Sequence, residues 1–117
     1  MNVEVVSNVD TERLTRNVEG NKAFWTFSAN EWHRLMEPYT PMRTGNLYRN
    51  VTISPGEIKY NAPYSVRVYY GDHMRFRKDL HPKATARWDE AARPEQEDKL
   101  IASMQGYIDS GRLDLYD

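Results

Sequence analysis

The chain has 117 residues, enough for one domain of ordinary size and too few for two that each bury a core. Hydrophobic residues make up 39% and charged residues 28%, which excludes wholesale disorder, while 16 basic against 17 acidic side chains leave a net charge of −1 and no overall field to hold a polyanion. The lack of cysteine removes disulfides, thiolate zinc sites, iron–sulfur clusters and thiol catalysis together.

Val3, Val5 and Val6 predict a short strand within an N-terminal segment of residues 1–9, broken by Ser7 and Asn8. Asp10 suits a helix N-cap. Leu14, Val18, Trp25, Ala29, Trp32, Met36 and Tyr39 then recur at helical steps, so a long N-terminal helix is expected, fraying around Gly20. Pro38 and Pro41 end it, because proline lacks the backbone donor and biases its predecessor away from helix. Thr44 is placed to cap a short turn containing Gly45, in which Leu47 points inward.

Alternation on either side of Pro55-Gly56 predicts a central β-hairpin, Val51 and Ile53 on one strand, Ile58 and Tyr60 on the other. Residues 63–71 are ambiguous. Their alternation and propensity favour strand, yet Pro63 at the start and Gly71 just past the end suit a helix. Asp72 to Leu80 is polar and aperiodic and reads as a surface loop. Pro82 is expected to open a helix through Trp88 and Ala92, and Pro94 to start another, with Leu100, Ile101, Met104, Tyr107 and Ile108 on its buried face and Gly111 as its cap. Residues 110–117 read as a tail or an oligomer contact. The whole is an α+β domain: a long N-terminal helix packed on a small antiparallel sheet, followed by C-terminal helices.

Charge is unevenly spread. The first 66 residues balance at seven of each sign, residues 67–93 hold seven basic and four acidic side chains, and residues 94–117 hold two and six. A basic middle and an acidic end suit either internal pairing or contact between unlike patches of neighbouring copies. Three histidines, His33, His73 and His81, share no metal-ligand spacing, and no nucleophile elbow, phosphate-binding loop or zincin motif is present. No enzyme, metal or cofactor is therefore expected. The loop Arg75, Phe76, Arg77, Lys78 has the aromatic-plus-basic look of a single-strand binder, but three charges in one loop are commonly a solvated face. Eight tyrosines and three tryptophans exceed what so small a core usually encloses, so some, with Tyr64, Tyr69 and Tyr70 foremost, are interface candidates. No apolar stretch has the length of a membrane span or a secretory signal, so a protein made in the cytoplasm with no membrane partner is expected.

Four segments in order carry a resemblance: Pro41 to Leu47, the hairpin Val51 to Tyr60, Asn61 to Gly71 with its Asn-Ala-Pro-Tyr opening, and His81 to Trp88 with its His-Pro-x-Ala-x-x-x-Trp pattern. Together they resemble the minor capsid or tail-completion proteins of tailed bacteriophages over roughly residues 38 to 92. The resemblance implies an α+β fold, a helix at residues 63–70, no catalysis, and a virion protein of the neck. Such a protein is one subunit of a homo-oligomeric ring between the head-closure or adaptor protein on the portal and the tail terminator, tail tube or sheath. The acid often found just before Thr-Gly in that family is Arg43 here. On this reading the Arg75 to Lys78 loop and the acidic end, including Asp109 and Asp114, face neighbouring subunits, or the loop touches DNA passing through the lumen. The alternative is a small phage nucleic-acid-binding or regulatory module.

Overall fold

The structure is a computed structural model and describes residues 1–41, 46–72, 74–76, 78 and 81–113. Three short strands make one antiparallel sheet: β1 (Asn2–Glu4), β2 (Val51–Ser54) and β3 (Glu57–Tyr60), in the order β1-β3-β2. Ile58 pairs with Val3 on one side and Ile53 on the other. In β3, Ile58 and Tyr60 are buried and Lys59 is exposed, the alternation a one-sided sheet requires. The hairpin turn is Pro55-Gly56, with Gly56 at φ 72, a value disfavoured for side-chain-bearing residues. That turn is tied down: Gly56 N–H donates to the Trp25 carbonyl (3.0 Å), and its own carbonyl accepts from Val5 N–H (2.8 Å).

Helix α1 (Lys22–Leu35) packs on β2 and β3 and also against α4 (Trp88–Asp109). It starts later than the sequence pattern suggests. Asn21 is its N-cap, accepting from Phe24 N–H at 3.0 Å, while Asp10 caps only a 3-10 turn at Thr11–Arg13. Gly20 at φ 80 sets the break between them, and Val18 is buried with its carbonyl holding the Trp25 indole N–H (3.1 Å). Leu14 and Val18 thus satisfy helical spacing without belonging to a helix. The first strand is likewise shorter than expected: Val5 is buried beside it, whereas Val6 opens a 3-10 turn and is 56% exposed.

Residues Ser65–Tyr69 form a short helix, α3, so the strand favoured by β propensity is not formed. Helix α2 is Asn46–Arg49, with Leu47 buried as expected; Thr44 and Gly45 lie outside the described residues. The two C-terminal helices expected from Pro82 and Pro94 are replaced by a single helix of 22 residues that begins at Trp88. Pro94 sits inside it. The carbonyl it leaves without a helical donor is that of Glu90, and both residues are exposed, so water can satisfy the group. Trp88, Ala92, Leu100, Ile101, Met104, Tyr107 and Ile108 form its buried stripe. Gly111 follows at φ 80, and Leu113, within the expected tail, is buried against the core. Aromatic edges knit the layers: Phe24 meets Trp25 and Tyr107, and Tyr60 meets Trp88, with ring centroids 5.3 to 5.6 Å apart.

Candidate assembly surface

From Tyr60 the chain turns through Pro63 into α3, which carries Tyr64, Tyr69 and Tyr70 at and beside its ends. The three tyrosines do different things. Tyr69 faces inward: its ring meets Trp88 edge-on at 5.1 Å and its hydroxyl donates to Asp89 Oδ1 at 2.5 Å. Burial, reinforced by that carboxylate, holds its phenol well above the ordinary range. Tyr64 is half-buried and accepts from Asn46 Nδ2 at 3.2 Å. Tyr70 is 58% exposed, and the Arg87 guanidinium lies over its ring at 5.1 Å.

Arg87 closes this end of the molecule. It is the non-glycine residue with positive φ (49) among those described, just before Trp88 opens α4. Its N–H donates to the Tyr69 carbonyl at 2.9 Å and its side chain to both oxygens of Asp72, at 3.3 and 3.4 Å. Left-handed backbone is unfavourable for a side-chain-bearing residue, and these fixed partners hold it there.

The basic loop therefore leaves from a pinned point at Asp72. It also returns to one. His81 is buried, its Nδ1 donating to the Thr40 carbonyl at 2.6 Å, with Nε2 3.9 Å from Glu37; Lys83 and Thr85 N–H donate to the carbonyls of Pro38 and Tyr39, both at 3.0 Å. These backbone bonds run to residues 38–39 rather than along a helix, which is why Pro82 starts none. Tyr48 packs beside this anchor, stacked on His33 at 4.2 Å and edge-on to His81 at 5.9 Å. Burial and the neighbouring Glu37 push the Tyr48 phenol up to about 12. Burial pushes the His33 imidazole down, against its bond to the Tyr48 carbonyl (2.8 Å).

Between these anchors Arg75 and Lys78 are exposed and make no ion pair or hydrogen bond among the described residues, while Phe76 is half-buried. A recess of ≈ 460 Å³ lies among Asp72, Met74, Phe76 and Ala84. Arg77 lies outside the described residues, as does Asp114. The acidic end is employed differently. Glu95 pairs with Lys83 and Asp98 with Arg13 (2.9 Å), each linking α4 to another part of the chain, and Glu97 pairs with Arg93 (3.5 Å) within the helix; exposed Asp109 accepts from Gln105 at 2.9 Å. Sequence reasoning missed His81 and Arg87 as organisers of the loop. The lone signal for His81 was its place directly before Pro82.

Among the described residues no three His, Asp or Glu side chains gather as a metal site, and no helix is long and apolar enough to cross a membrane. What the structure offers is a firmly packed small domain whose distinctive chemistry lies on its outside, as in proteins that work by being assembled. Residues 5–106 match the family model described as minor capsid protein, and the chain belongs to that family. It is a phage structural protein and a component of the virion. No curated protein and no solved structure is significantly similar to it.

Proposed function

We propose that the protein is a ring subunit of the phage neck, joining the head-closure or portal complex to the tail terminator and tail. The observation that carries this reading is the contrast in charge use: Glu95, Glu97 and Asp98 of α4 are paired within the chain, whereas Arg75 and Lys78 are exposed and unpaired among the described residues, between anchors at Asp72 and His81. A free basic loop on a domain of net charge −1 suits contact with an acidic surface of an adjoining subunit or neighbouring ring. Membership of a structural virion family supports the same reading. The test replaces Arg75, Arg77 and Lys78 with Glu and images the particles. Separated full heads and free tails are the expected result; normally joined virions carrying the variant would refute it.

A further inference from the structure

Three large hydrophobic side chains are conspicuously exposed among the described residues: Val66 at 50%, Tyr70 at 58% and Val6 at 56%. Two of them belong together. Val66 and Tyr70 are four residues apart at α3, hence on one face, with exposed Arg67 beside them and Arg87 against the tyrosine ring. This is an apolar knob beside a basic stretch that continues into Arg75 and Lys78; of the acids near it, Asp72 is paired to Arg87, Asp89 accepts from Tyr69, and Glu90 lies on the Arg87 side.

Val6 belongs to a different surface. It lines an open groove of ≈ 700 Å³ beside the hairpin turn, with half-buried Trp25 and Pro55 forming more of its apolar lining. Glu4, Glu19 and Glu57 stand along it and make no ion pair among the described residues; Lys22 and Arg16 are the cations there. The groove's carboxylates are thus uncommitted among the described residues, unlike Glu95, Glu97 and Asp98 of α4. Knob and groove sit at opposite ends of β3, since the turn at Gly56 precedes that strand and α3 follows from its far end. A contact between two different patches on opposite sides of a subunit is the heterologous kind, which closes into a ring when the rotation allows.

Resting on the ring-subunit reading, we propose that the groove beside the hairpin turn receives the Val66–Tyr70 knob of a second copy of this chain. Val66 and Tyr70 of one subunit cover Val6, Trp25 and Pro55 of the next. Arg67 and the basic loop face Glu4, Glu19 and Glu57. Each apolar side chain left exposed in the single subunit is covered in the assembly, and each unlike charge meets its complement at the rim.

The natural chain has no cysteine, so introduced thiols report only on themselves. Val6→Cys and Val66→Cys replace exposed residues and leave the core untouched. Phage carrying the double variant are purified, oxidised and run on non-reducing gels, alongside each single variant. A ladder of dimers, trimers and higher multimers from the double variant, with monomers from the singles, is the expected result. Monomers alone in particles that contain the normal amount of the protein, or a dimer from Val66→Cys by itself, would overturn the knob-in-groove contact and leave the neck reading standing. Should wild-type protein be found away from the head–tail junction, the neck reading itself fails, and the contact with it. A second variant, Tyr70→Asp, lies on the surface and is expected to keep the wild-type melting temperature while incorporation into particles falls at least tenfold; undiminished incorporation counts against the contact.

Discussion

The two halves of this molecule are held by different physics. Around α1, the sheet and α4, stability comes from buried apolar surface: Phe24, Trp32, Met36, Ile58, Leu100 and Met104 are all fully enclosed. From α3 to Arg87, Val68 and Tyr69 still pack on that core, but directed polar contacts add to the packing, the Tyr69–Asp89 and His81–Thr40 hydrogen bonds and the Arg87 ion pair among them. A packed core tolerates substitutions outside it, whereas a strap fixed by single bonds concentrates its dependence on a few residues. The core fixes the fold, and the strap fixes where the basic loop emerges.

Trp88 is where the halves meet, and its removal has the largest expected effect. Its ring is fully buried and touches both Tyr60 of the sheet and Tyr69 of α3. Trp88→Ala is expected to cost about 3–5 kcal/mol of unfolding free energy, measured by chemical denaturation, and to loosen core and strap together. A loss confined to one half would show that the halves are less coupled than their shared ring implies.

His81→Ala acts on the strap alone. It leaves the Thr40 carbonyl without its donor in a buried setting, at an expected cost of roughly 1–3 kcal/mol. Hydrogen exchange separates the regions: Lys83 and Thr85 amides should lose protection, while those of α1 keep theirs.

The strap and its surroundings should also respond to pH at both extremes. Tyr48, Tyr60 and Tyr69 have phenols raised in the folded state, chiefly by burial, so their contribution is complete below the unfolded value of about 10 and is lost as pH climbs through the folded values, near 12 for Tyr48. His33 is lowered, and burial is again the main cause. Its contribution is complete above about 6.5 and fades as pH falls through the folded value. Thermal melts across pH 4 to 12 are expected to show a plateau between roughly 7 and 10 with a fall on either side, and Tyr48→Phe should soften the alkaline fall. The smallest stability effect belongs to Arg75→Glu with Lys78→Glu. Both side chains are exposed and unpaired among the described residues, so unfolding free energy should move by less than about 0.5 kcal/mol even as assembly is lost.

The same division explains what could be read from the sequence. The hairpin around Pro55-Gly56 and the α4 stripe from Leu100 to Ile108 were legible because each is a local pattern that burial enforces. Helix α1 was legible in its second half only; Leu14 and Val18 imitate the helical period while the backbone breaks at Gly20 and restarts on the Asn21 cap. At residues 63–70 local propensity spoke for a strand, and a helix forms because Tyr69 must reach Trp88 and Asp89, partners distant in sequence. The strap was nearly invisible for the same reason. His81 finds Thr40, and Arg87 finds Asp72 and Tyr69, through contacts 15 or more residues apart that no window of sequence displays. The basic residues could be read as a loop; the anchors at its ends could not.

Those anchors have a kinetic meaning. Asp72 and His81 are fixed on folding, so the conformational entropy of holding the two ends of the intervening segment is spent before any neighbour arrives. With its two ends already placed, the segment has less conformational entropy left to lose on docking. For a structural protein of a virion, a contact whose ends are already placed forms faster than one that must first be ordered.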